Sequence, residues 1–165
     1  MKNHQDQLYY EWNDFNSDCS IVVRAMAHEQ FNPDVIIGPG RGGYPFGVML
    51  SHYFKCPFEA FNWQTRDGVV EDSDTLQLLL SKYIKSNILI VDDINDSGKT
   101  LLGIQDIVWD SNANSSIGDI KYATLFDKES SDFGDVDFTA NIVLPDEEKW
   151  IVFPYEEWWT WKKQH

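Results

Sequence analysis

The segment Ile88-Leu89-Ile90-Val91-Asp92-Asp93-Ile94-Asn95-Asp96-Ser97-Gly98-Lys99-Thr100 holds the densest chemistry in the chain. An apolar run stops at two carboxylates, Asp92 and Asp93. Asp96 follows, and then a turn of small and hydroxyl-bearing residues leads into a helical stretch. A buried strand that delivers charge at its carboxyl end, then a tight turn into a helix, is how open α/β sheets build ligand sites. The free N–H groups of such a helix N-terminus, with the hydroxyls of Ser97 and Thr100, suit a phosphate. The neighbouring carboxylates suit sugar hydroxyls or a divalent metal. Together they point to a phosphorylated sugar.

Two other motifs share part of this pattern, and both fail on arithmetic. Gly98-Lys99-Thr100 would close a P-loop only with glycine five positions before Gly98, where Asp93 stands. A phospho-acceptor receiver domain opening at Ile88 would need about 110 further residues, and only 73 follow Asp92. A second cluster, Gly40-Arg41-Gly42-Gly43, ends an earlier apolar run, Val35-Ile36-Ile37. Its glycines permit unusual backbone angles and close approach of N–H groups to an anion, and Arg41 adds a delocalised cation.

The 88–100 segment resembles, in residue type and spacing, the ribose-phosphate motif of type I phosphoribosyltransferases, and Arg41-Gly42-Gly43 resembles the pyrophosphate loop of the same family. The resemblance implies that Asp92 and Asp93 bind the ribose hydroxyls, directly or through Mg²⁺. It makes Asp96 the catalytic residue facing the base, and gives the 5′-phosphate to Ser97, Gly98, Lys99 and Thr100, with Lys99 pointing outward. Lys128 and the tail Trp150-Ile151-Val152-Phe153-Pro154-Tyr155-Glu156 are similar to the xanthine-guanine branch, which implies base binding by Lys128, Trp150 and Ile151. A lysine donor rewards an oxo group and rejects the amino group of adenine. The implied reaction is transfer of 5-phosphoribose from phosphoribosyl pyrophosphate to a 6-oxopurine (guanine, xanthine or hypoxanthine) in purine salvage. A regulator of the same fold that binds without turnover is the rival, as is an enzyme for another base. The peptide entering the pyrophosphate loop of that family is often strained or cis, so the Gly40–Arg41 bond is of interest. The loop 63–74 falls where the family has a flexible flap, but it lacks the usual Ser-Tyr pair and offers Trp63-Gln64-Thr65, with Arg66 a candidate for pyrophosphate.

The elements that must position these groups alternate. Phe15, Cys19, Val22 and Met26 recur at helical spacing and predict a helix over 13–30, with Asn13 as its cap and Pro33 beyond its end. Strands are expected at 35–37, 58–62, 88–92, 121–126 and 138–144, and helices at 44–54 and 98–111. Leu76, Leu78 and Leu80 alternate, so 75–85 reads as an extended arm; 111–118 is a turn cluster. The fold class is α/β: a mostly parallel, twisted sheet with helices on both faces, plus a small hood made by the chain ends. The whole of 1–165 reads as a single phosphoribosyltransferase domain, with the flap near 63–74 and the hood segment near 145–165.

Composition bounds the remaining choices. At 165 residues and 42% apolar the chain fits one folded domain. No apolar run reaches the roughly 20 residues of a membrane span, and the N-terminal residues lack a signal core, so a cytoplasmic protein without membrane partners is expected. Cys19 and Cys56 form no metal or disulfide pattern. A net charge of −14 opposes nucleic-acid binding. It also demands that positive charge for an anionic substrate be local, from backbone N–H groups, a few Lys and Arg, and Mg²⁺. A homodimer or homotetramer is expected by similarity, with Trp158, Trp159 and Trp161 available to an interface.

Overall fold

The computed structural model describes residues 7–65, 70–112 and 118–159. Its centre is a five-stranded, all-parallel sheet in the order β3 (Phe58–Phe61), β2 (Val35–Pro39), β6 (Ile88–Asn95), β7 (Ile120–Lys128), β8 (Phe138–Val143). The strands are runs of branched apolar residues because both faces are covered. Ile36, Leu89, Val91, Ala123 and Leu125 pack with α1 (Trp12–His28) and α2 (Gly43–Phe54). Their sequence neighbours Val35, Ile37, Ile88, Ile90 and Tyr122 pack on the other face with α3 (Ser73–Lys82) and α4 (Lys99–Asn112). Phe15, Cys19, Val22 and Met26 form the buried stripe of α1 that their spacing predicts.

The chain runs from β2 outward to β3, then returns to place β6 on the opposite side of β2. This reversal opens a crevice at the carboxyl ends of β2 and β6, the usual position for a ligand in an open α/β sheet. The chain ends meet above it: β1 (Gln7–Tyr9) pairs in parallel with β9 (Trp150–Val152).

Two expectations are corrected. Residues 75–85 are no extended arm, for α3 spans Ser73–Lys82. The Asp72 carboxylate accepts from Thr75 N at 3.1 Å and starts the helix, and Leu76, Leu79 and Leu80 are buried at helical spacing while Leu78 is 69% exposed. Asn13 does not cap α1. The cap is Glu11, whose N–H donates to Asp14 at 3.4 Å. Within 63–74, β4 (Trp63–Gln64) pairs antiparallel with β5 (Val70–Glu71), and Ser73 and Asp74 already belong to α3. Arg66, Trp161 and most of the 111–118 turn cluster lie outside the described residues. No described helix is long and apolar enough to cross a membrane.

Candidate functional site

Strand β6 carries its two acids out of the apolar layer at the crevice. Asp92 and Asp93 are consecutive in extended backbone, so their carboxylates leave on opposite sides. Asp92 Oδ1 accepts from Asp93 N at 3.0 Å, while Asp93 Oδ2 accepts from the Tyr155 hydroxyl at 2.7 Å. Burial is the first cause that pushes both carboxyls above their ordinary range, Asp93 to about 6. The Asp93 charge raises Asp92 further; the Tyr155 hydrogen bond pulls Asp93 back down.

The glycine loop after β2 lies against this pair. Gly40 has φ +53° and donates its N–H to Phe61 O at 2.9 Å, and a Cβ there would stand 2.4 Å from Trp63 O. The turn is thus left-handed at Gly40, and no peptide bond among the described residues is cis. A Cβ on Gly42 would meet the Asp93 carboxylate at 2.7 Å, so glycine here lets loop and acid touch. Gly43 opens α2 and is buried against Val91 O, where a Cβ would stand 2.5 Å away.

Past β6, Gly98 has φ +83° at the turn into α4. A Cβ on it would collide with Phe133 N at 2.5 Å and Ser131 Oγ at 2.8 Å, since the loop after β7 braces the turn. Asn95, 1% exposed, is the centre of that brace. Its amide donates to Asp127 Oδ1 (2.7 Å) and Phe133 O (2.8 Å), and its oxygen accepts from Ser131 Oγ (2.8 Å). The turn therefore presents the N-terminus of a 14-residue helix in a fixed place. Thr65, just after β4, brings its hydroxyl within 3.5 Å of that of Thr100.

These parts enclose one cavity of about 900 Å³, lined by Arg41, Gly42, Asp92, Asp93, Asp96, Ser97, Gly98, Lys99, Thr100, Lys128, Trp150 and Ile151 among others. Of the site residues singled out from sequence that the structure describes, Gly43 is the one not on its wall. Arg41 and Lys99 are exposed at the rim. The four cations Arg41, Lys99, Lys128 and Lys149 sit on the same wall as Asp92, Asp93, Asp96 and Glu156, so the cavity is locally far less negative than the chain. Lys128 Nζ stands 2.5 Å from Asp96 Oδ1 and 3.3 Å from Glu148 Oε2.

Sequence reasoning passed over Tyr155, Glu148, Trp63 and Thr65 as site residues. Tyr155 lines the cavity and bonds Asp93, and Glu148 reaches the site through Lys128. Trp63 lines the cavity, packs over Gly103, and buries an indole N–H that finds no acceptor among the described residues. Nor do the described residues hold any cluster of three His, Cys, Asp or Glu able to bind a metal alone. Each of the two carboxylates on the cavity wall offers single oxygens that fit a Mg²⁺ otherwise completed by substrate oxygens and water.

The family described as Phosphoribosyl transferase domain matches residues 21–158. The chain is 29% identical over 116 residues to the hypoxanthine-guanine phosphoribosyltransferase of Schizosaccharomyces pombe, covering 58% of this chain and 56% of that protein. It is 23% identical over 115 residues to the transcriptional regulator GfcR of Methanococcoides burtonii, covering 69% and 55%. It thus spans about half the length of the curated relatives it matches. The crystal structure of a purine phosphoribosyltransferase from Pyrococcus horikoshii superposes with a TM-score of 0.69 at 28% identity, over 92% of this chain and 95% of that one.

Proposed function

Since this chain belongs to the phosphoribosyl transferase family, we propose that it transfers the 5-phosphoribosyl group of phosphoribosyl pyrophosphate to a 6-oxopurine, guanine, xanthine or hypoxanthine, as a step of purine salvage. One observation carries the reading: three acids, a helix N-terminus with hydroxyls, and a lysine beside a tryptophan all line the same cavity. The α4 N-terminus, with Ser97 and Thr100, takes the 5′-phosphate; Asp92 and Asp93 take the ribose hydroxyls. Arg41 and the loop at Gly42 and Gly43 receive pyrophosphate. Mg²⁺, held by Asp92 and Asp93 together with substrate oxygens, supplies charge neutralisation for the pyrophosphate.

The bond from the anomeric carbon to pyrophosphate breaks as the purine ring nitrogen bonds to that carbon. Charge builds on the sugar, and the fixed acids beneath the ribose stabilise it. Trp150 and Ile151 stack the base over the reacting carbon, which is a matter of orientation. Asp96 exchanges the purine proton, and Lys128 meets the 6-oxo oxygen. The 2.5 Å ion pair between them means that an arriving base inserts beside a pair already neutralised.

Pyrophosphate release, assayed with phosphoribosyl pyrophosphate and a panel of guanine, xanthine, hypoxanthine, adenine, orotate and uracil, tests this. Turnover with 6-oxopurines is expected, and its absence with all of them sinks the proposal. Asp96→Asn should lower kcat on the order of a hundredfold with little change in binding of phosphoribosyl pyrophosphate; an unchanged kcat removes Asp96 from the chemistry. The likeness to GfcR favours a second reading, a regulator that binds the sugar diphosphate or a nucleotide without turnover. Calorimetric nucleotide binding with no pyrophosphate release would select it. A homodimer or homotetramer completes the proposal, with the exposed Trp158 and Trp159 at the contact; light scattering reads its mass.

A further inference from the structure

An ammonium group has three N–H donors and no acceptor. At Lys128 one faces Asp96 at 2.5 Å and a second faces Glu148 at 3.3 Å, while the side chain, 12% exposed, lines the cavity. Glu148 is itself fixed, since its other carboxylate oxygen accepts from the Ser130 hydroxyl. Ser130 and Lys128 belong to the stretch that leaves β7, which Glu129 N ties to Val143 O at 3.1 Å. Glu148 follows the turn closed by Glu147 N to Leu144 O and stands two residues before Trp150. One short segment therefore carries both the ring that faces the base and the carboxylate that faces the lysine.

We infer that Glu148, oriented by Ser130, is a positioning residue that sets selection of the purine 6-substituent. It does so by holding a second Lys128 N–H beside the one that Asp96 takes, which fixes the rotation of the ammonium and leaves its third N–H aimed at an oxo acceptor. This rests on the 6-oxopurine reading above. Without the Glu148 charge, the ammonium keeps Asp96 but is no longer held at a second point, and its third N–H loses its aim. With it, the ammonium is spread between two carboxylates, and a 6-oxo oxygen completes its donors. A 6-amino group would bring N–H against N–H and gain nothing. Glu148 does not line the cavity and acts only through Lys128.

The test compares the binding of inosine monophosphate and adenosine monophosphate by calorimetry in the full chain, with thermal melting as a control of folding. Glu148→Gln keeps the shape of the side chain and loses its charge. It should lower the preference for inosine monophosphate on the order of tenfold while the Kd for adenosine monophosphate stays within about twofold. Ser130→Ala, at an exposed position, should shift the ratio in the same direction by less, and Ser130→Thr should restore it. A preference that survives in both Glu148→Gln and Ser130→Ala overturns the inference alone, as does an equal loss for both nucleotides, which marks a structural role. A wild-type chain with no preference overturns the 6-oxopurine reading, and the inference with it.

Discussion

Asp93 receives its hydrogen bond from Tyr155, 62 positions further along the chain, and Tyr155 in turn stacks on Phe153 and meets the edge of Phe15. The aromatic wall dehydrates the acid, and the phenol only partly compensates, so its folded value rises to about 6. A carboxyl raised in this way favours folding below its ordinary value near 4, and that benefit is lost as pH rises through 6. At neutral pH the ligand-free site therefore stores unfavourable charge that a substrate or cation relieves. Asp93→Asn should raise the melting temperature of the ligand-free protein by roughly 2–6 °C at pH 7 and hardly at all at pH 4. The same change should weaken phosphoribosyl pyrophosphate binding. Equal melting at pH 7 would show that the acid is not under strain. The acids themselves were legible, because their spacing at a strand end is local chemistry. Tyr155 was not, since nothing at position 155 announces which strand end it will touch.

At the scale of elements, turn chemistry decided what could be read. Strands β2 and β6 were legible as unbroken branched runs, and β6 proved four residues longer than its apolar part because Asp92 to Asn95 continue the ladder to β7. Helix α3 was misread because Leu76, Leu78 and Leu80 satisfy a period of two, whereas the Asp72 cap and the Leu76, Leu79, Leu80 stripe satisfy one of 3.6. Arbitration came from tertiary packing: Leu79 and Leu80 join the α4 face of the core. The turn at Gly98 is the element most sensitive to change, because a side chain there meets both a left-handed backbone and the brace from Asn95 and Ser131. Gly98→Ala should cost about 1–3 kcal/mol of stability and raise the KM for phosphoribosyl pyrophosphate more than that for the base. A variant with normal melting and a normal KM would show that the turn is permissive.

For the molecule as a whole, an acidic chain brings four of its 13 Lys and Arg residues, Arg41, Lys99, Lys128 and Lys149, to one opening. The two cysteines are kept out of that chemistry. Burial, the main cause, pushes the Cys19 thiol up to about 12, and α1 packs it against the sheet. The native protein should therefore resist iodoacetamide at Cys19 at pH 8, with Cys56, half-buried and less shifted, alkylated first. Mass spectrometry that finds Cys19 modified as fast as Cys56 would contradict this packing. The parallel sheet was legible from the alternation of apolar runs and amphipathic stretches. Where the strand order turns back was not, since either edge of β2 could have accepted β6.

The pairing of residues 7–9 with 150–152 has a consequence for biosynthesis. At roughly 5–20 residues per second of translation, β1 emerges and waits about 7–30 s before its partner leaves the ribosome. A nascent chain that has passed Asp96 but not reached Trp150 carries the strand-end acids without the β9 segment that completes the cavity wall. On the proposed function, nucleotide capture therefore waits until residues 150–152 have emerged to pair with β1.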